Sequence, residues 1–274
     1  MKILIIATAY NRDYDCQALM YEYFASKPDT EVWAIAPLFT DTTRGQIEAR
    51  RDEKSNGVRI KRIYKNIPEM WNVPFAAQKE LDQICRDFKP DIIWCWHEGN
   101  YPIASYIHAK TNAPIVLYLE CPGNKIVETA KKDKVPIILS CVRIHKLFEK
   151  DMTRDGFYFL QVSAPAGVPD ASSYWQKEKN NRGIFCGSLG YEYKWPKYFM
   201  ELLPQLFEKT SMESFFLLSS GSKYPSDIMS TIGKKFPITY VPHLTRREIF
   251  QEIAKSKFGF ITMKGPWPGA FPGE

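Results

Sequence analysis

Short continuous apolar runs alternate along this chain with stretches of helical periodicity. Lys2–Ala9 is an unbroken apolar run, and Gln17–Ser26 follows with helical spacing. Glu31–Pro37 is a second run, and Val58–Tyr64 alternates as a more exposed third strand would. Phe75–Phe88 places Ala76, Leu81, Ile84, Cys85 and Phe88 on one helical stripe. Strands are then expected at Asp91–Trp96, Ala113–Leu119, Pro136–Cys141 and Tyr158–Val162, with a helix at Tyr101–Thr111. Strands that are apolar throughout, rather than on alternate positions, belong to a parallel sheet covered on both faces. The expected class is α/β, of the doubly wound, Rossmann-like type.

A polar stretch at 172–182 interrupts the pattern, which then restarts. Strands are expected at Gly183–Gly187, Ser214–Ser219, Pro237–Val241 and 257–263, and helices at Pro196–Lys209, Ser226–Lys234 and Thr245–Lys255. Thr245 with Glu248 three residues on is a capping box. Two domains follow, 1–172 and 183–274, and the second is expected to be incomplete, because its last strand runs into a glycine- and proline-rich loop at Lys264–Glu274.

Composition narrows the setting. Hydrophobic residues make up 45% and charged residues 25%, the balance of a globular protein. No apolar run approaches the ~20 residues of a membrane span, and the opening segment reads as a buried strand, not a signal peptide. The six cysteines form no C-x-x-C pair. That usage points to a reduced, cytoplasmic protein and away from structural zinc. Net charge is +6. Arg50, Arg51, Lys54, Arg59, Lys61 and Arg62 gather in one basic stretch. It reads as contact with an anionic substrate, as peripheral contact with an anionic inner membrane face or, more simply, as a solvated loop and edge strand diluted by Glu48, Asp52 and Glu53. Nucleic acid would ask for a denser patch with interleaved aromatics.

In the second half, Ile184-Phe-Cys-Gly-Ser-Leu-Gly with Lys194, then Phe215–Gly221, Tyr240-Val-Pro-His with the charged helix after it, and Lys255–Met263 come in a familiar order. So do Lys89-Pro-Asp-Ile-Ile-Trp, Ala113–Leu119 and Pro165-Ala-Gly-Val-Pro in the first. Together they resemble the GT-B glycosyltransferases of the retaining, group-one type (family four), over the whole chain. The chain departs from that pattern at its first loop, Tyr10-Asn-Arg-Asp-Tyr-Asp, where the family has glycine. It departs again at Ser188, where the family has arginine.

The resemblance implies two Rossmann-like domains with an acceptor in the first and a nucleotide-diphosphate sugar in the second. It implies no metal and no cofactor beyond that donor substrate. Gly187-Ser188-Leu-Gly190 before a helix suits a diphosphate, and Lys194 would supply a cation to the leaving group. Gly221 and His243 follow successive strands and would meet the nucleotide. Gly269 allows close backbone approach, and Glu274 stands where the first of the family's two glutamates falls. His97 and Glu98 end a strand and would orient or deprotonate an acceptor hydroxyl. Glu120 ends the next strand, where the family often has histidine. The ordinary reading of each is a strand–helix turn or polar cap. Asp13-Tyr-Asp15 resembles a metal-binding D-x-D but reads better as a loop or helix cap. His108 and His145 read as structural, and Trp94 and Trp96 as core. The acceptor is left open among glycan, lipid-linked and small-molecule classes. Two other readings stand beside transfer: a non-catalytic fragment or nucleotide-binding module completed by a partner or a second copy, and a nucleotide-sugar epimerase.

Overall fold

The computed structural model describes residues 1–11, 16–40, 47–119, 125–139, 157–159, 178–187, 197–219, 223–242 and 244–260. The chain divides into two compact units, the first chiefly Met1–Asp41 and Gln46–Val168, the second chiefly Pro169–Trp267.

The first unit is built on strands β1 (Lys2–Ile6), β2 (Glu31–Pro37), β5 (Asp52–Ser55), β6 (Val58–Tyr64), β7 (Ile92–Trp96), β8 (Ile115–Leu119), β9 (Ile137–Leu139) and β10 (Phe157–Phe159). Their order across the sheet is β10-β9-β8-β7-β1-β2-β6-β5. All neighbours are parallel except the β5–β6 pair. A separate small ribbon joins β3 (Phe39–Thr40) to β4 (Ile47–Glu48). Helices α1 (Cys16–Ala25), α2 (Ile67–Asn72), α3 (Gln78–Phe88), α4 (Tyr101–Thr111) and α5 (Lys125–Lys132) accompany the sheet.

Both faces of this sheet are covered at its central strands, which is why β1, β2, β7 and β8 are apolar nearly throughout. Leu4, Ile6, Ile35, Ile93, Cys95 and Leu117 point into a core shared with Leu81, Ile84 and Phe88 of α3 and Ile103 and Ile107 of α4. Ile3, Ile5, Val32, Ala34 and Ile60 point the other way, against Ala18 and Tyr21 of α1. Side chains in this class contribute about 1.5–3 kcal/mol each when fully buried.

Two expectations need correction. Helix α3 begins at Gln78, and Phe75, expected inside it, is half-exposed in the turn before it. The third strand is not an edge. Asn56 and Gly57 both adopt positive φ (41° and 90°), which makes the two-residue turn of a hairpin, and the polar strand β5 pairs outside β6. The basic stretch lies on this hairpin, and much of it is paired. Arg59 and Lys61 both hold Asp52, and Arg62 is buried against Glu53.

In the second unit the order is β13 (Ile238–Val241), β12 (Ser214–Leu218), β11 (Asn180–Cys186), β14 (Ser256–Phe260), all parallel. Helices α6 (Lys197–Lys209), α7 (Lys223–Thr231) and α8 (Arg246–Lys255) connect them. Leu203 and Ile228 pack on one face with Phe185, Phe215 and Leu217, and Ile249 meets Ile184, Phe216 and Leu218 on the other. The capping box forms as its spacing requires, with Thr245 and Glu248 bonded reciprocally. Among the described residues no helix is long and apolar enough to cross a membrane.

Candidate functional site

Sheet order decides where each unit can hold a ligand. From β1 the chain builds outward to β2 and β6, then returns to place β7 on the other side of β1. The connections leaving β1 and β7 therefore diverge to opposite faces of the sheet. They open a crevice at the carboxyl ends of those strands, where ligands bind in open α/β sheets. The second unit repeats this: β12 and β13 lie to one side of β11 and β14 to the other.

His97 and Glu98 sit at the first switch point. Asn100 closes it. Its side chain is fully buried, and its Nδ2 donates to the carbonyl of Ile6 at 3.2 Å and of Trp96 at 2.6 Å, the last residues of β1 and β7. Its Oδ1 accepts from Trp71 Nε1 at 3.0 Å. One amide thus ties the two strand ends together and tethers an indole from α2. Residues 98–100 form a single 3-10 turn, and Pro102 suits the first turn of α4, where no N–H is needed.

His97 is held through its backbone, its Nδ1 and one face of its ring. Its backbone N–H donates to the carbonyl of Tyr118 at 2.9 Å, extending the β7–β8 ladder. Its Nδ1 accepts from Gly99 N–H at 3.1 Å. The Trp71 ring stacks on the imidazole with centroids 4.6 Å apart and planes within 9°. Glu98 is buried, with Oε2 3.5 Å from His97 Nδ1. Burial pushes the imidazole pKa below its ordinary value, and the attraction of Glu98 only partly opposes this. His97 is therefore a neutral ring near pH 7.

The backbone of His97 is strained, with φ 71° and ψ 142°, a conformation suited to glycine. Such strain costs about 1–3 kcal/mol and persists where surrounding contacts fix it. The expected result is that His97→Gly is at least as stable as His97→Ala, although glycine normally costs about 1 kcal/mol more. Chemical denaturation of the two variants checks this; an alanine variant clearly more stable than the glycine variant contradicts it.

The lowered pKa also sets a pH dependence. Below about pH 6.5 the unfolded chain takes up a proton that the folded chain refuses. The contribution of His97 is complete above that pH and is lost as pH falls toward the folded pKa. Each unit of depression amounts to about 1.4 kcal/mol. His97→Asn should flatten the loss of stability on acidification in this range, measured by urea titrations; an unchanged slope would count against a buried neutral ring.

In the second unit Gly187 follows β11, and its N–H donates to the carbonyl of Leu218 at 3.1 Å. It therefore stands at the carboxyl edge, beside the end of β12. Glu120, Ser188, Lys194, Gly221, His243, Gly269 and Glu274 lie outside the described residues, as do Asp13 and Asp15. Among the described residues no cluster of histidine, cysteine, aspartate or glutamate has the makings of a metal site. His108 is structural, its Nδ1 2.8 Å from the Ala113 carbonyl just past the end of α4. Trp96 is buried in the core, and Trp94 packs against it in part.

Sequence reasoning missed Trp71, Gly99 and Asn100. Asn100 carried a usable signal, a polar residue between a buried strand and a Pro-opened helix. Trp71 carried none, because α2 is too short to show a period.

No family model matches the chain, and no curated protein resembles it in sequence. Its fold has clear counterparts. Sucrose-phosphate synthase from Thermosynechococcus elongatus superposes with a TM-score of 0.65 at 8% identity, over 94% of this chain and 74% of that one. HepE from Anabaena in complex with UDP-glucose gives 0.64 at 12% identity, over 97% and 75%. UDP-N-acetylglucosamine 2-epimerase from Rickettsia bellii gives 0.55 at 8%, over 93% and 72%. The chain has the GT-B fold and spans about three quarters of these neighbours' length.

Proposed function

We propose that the chain is a glycosyltransferase that moves a sugar from a nucleotide-diphosphate sugar to an acceptor hydroxyl. The observation that carries the reading is the pair of switch points. One holds an ordered polar cluster, His97, Glu98 and Asn100, and the other presents Gly187 just past the end of β11. The likeness to HepE, whose complex contains UDP-glucose, supports a nucleotide sugar as the ligand. In this reading the first unit handles the acceptor and the second the donor. Gly187, Ser188 and Lys194 would serve the diphosphate, Gly221 and His243 the nucleotide, and Gly269 and Glu274 the sugar end of the donor. Retention of anomeric configuration follows from the resemblance to family four, and no metal or separate cofactor is called for.

The test is binding followed by turnover. Calorimetry with UDP, GDP, ADP and their sugars should find one nucleotide that binds, and acceptor candidates should then release it. Binding without release supports a nucleotide-binding module. A changed sugar with the nucleotide still attached supports an epimerase, the chemistry named for one neighbour of the same fold. Failure of every nucleotide to bind overturns all three.

A further inference from the structure

We propose that His97 acts as a fixed hydrogen-bond donor through Nε2–H, with Trp71 and Gly99 as the positioning residues that set it, and that it does not take a proton from the acceptor. This rests on reading the first switch point as the acceptor side.

A neutral imidazole has one N–H and one lone pair. A backbone N–H can only donate. Gly99 N–H meets Nδ1 at 3.1 Å, so Nδ1 holds the lone pair and the single ring proton is on Nε2. The ring cannot turn to exchange these roles. Trp71 stacks flat against it, Asn100 fixes the indole through Nε1, and two strand-end carbonyls fix Asn100. Gly99 is required by the same packing: a Cβ there would lie 2.6–2.7 Å from three indole atoms. A proton added at Nδ1 would face the Gly99 N–H, donor against donor. Glu98, 3.5 Å away, is the ionisable side chain beside it, and draws such a proton toward itself only at the cost of the Gly99 bond. The ligand that suits an ordered N–H beside a stacked aromatic is a hydroxyl oxygen of a polyhydroxylated acceptor. His97 holds that oxygen in place, and no proton passes through it.

The experiment is long-range proton–nitrogen correlation on the full chain labelled in histidine. The four histidines are separated by comparison with His97→Gln. At neutral pH without ligand, Nδ1 of His97 should resonate as a bare nitrogen and Nε2 as a protonated one. The opposite tautomer, an imidazolium, or an averaged pair overturns the proposal. Trp71→Phe should keep the fixed tautomer, whereas Gly99→Ala should blur it toward the average; a Gly99→Ala spectrum identical to the parent removes Gly99 from the argument. In turnover, His97→Gln, whose amide can still donate, should stay within about tenfold of the parent, while His97→Ala, which removes the donor, falls about 100-fold. Equal losses in both variants would restore the base role. The spectrum needs no substrate, so a chain without transferase activity defeats the functional reading alone, and a mobile proton in an active chain defeats this inference alone.

Discussion

Gly183→Val should unfold the second unit while the first stays folded. Gly183 lies in the middle of β11, paired with Phe215 of β12 on one side and Phe258 of β14 on the other. The rings of Phe215 and Phe260 reach over it from the two flanking strands, with centroids 5.4 Å apart. A Cβ at this position would lie 2.6 Å from Met212 Sδ, 2.6 Å from a ring carbon of Phe260 and 2.7 Å from one of Phe215. Methionine can swing away, but Phe215 is buried in the core and the half-buried Phe260 packs against it, so the two rings cannot both retreat without opening a void. Alanine should cost about 1–3 kcal/mol, and valine, with two further methyl groups, more than that. Among the described residues the sheet around it has four strands, with β11 between β12 and β14. Limited proteolysis with mass analysis should find cleavage confined to the second unit in the valine variant. A digestion pattern and melting curve like the parent's would show that the rings are not held as described.

Arg62→Ala should be the most damaging single change in the first unit, at about 3–5 kcal/mol. Its guanidinium is buried, and donates to Glu53 Oε1 at 2.7 Å, to the Arg50 carbonyl at 3.0 Å and to the Tyr10 carbonyl at 2.8 Å. Three segments therefore meet on one side chain: the β5–β6 hairpin, the approach to it, and the loop leaving β1 at the switch point. Alanine leaves two carbonyls and a partly covered carboxylate to find water in a space a long side chain had filled. Arg62→Lys keeps the charge but cannot span three acceptors with a compact ammonium, so it should lose about half as much. Urea unfolding gives both numbers. A loss below about 1 kcal/mol for alanine would place Arg62 among ordinary surface pairs.

Arg62 also shows how the sequence can be misread. Counted among its neighbours, it looks like one more exposed cation. Its parity says otherwise: Val58, Ile60 and Arg62 occupy one face of β6, and that face is buried. A residue two positions from Ile60 in a strand shares its side. The same stretch held a second legible signal, Asn56-Gly57 between alternating strands, which is the hairpin that places β5 outside β6. Both were available to a strict count of periods.

The switch-point cluster was legible only in part. His97 and Glu98 could be placed at the end of a strand because an apolar run stops there. Their environment could not. Trp71 reaches the imidazole from a helix of six residues, and the strands Asn100 ties together are 94 and 4 residues away in the chain at the atoms it bonds.

Taken alone, then, the order of residues determined the alternation of buried strands and amphipathic helices, the restart that makes a second unit, and the polar residues at strand ends. Those are consequences of local period and of backbone groups that must be paired, both written into neighbouring positions. The tertiary structure decided which nitrogen of His97 bears its proton, why residue 99 has no side chain, and which cation is entombed. Each of these depends on groups brought together from distant segments, where distances of a few tenths of an ångström choose between contact and collision.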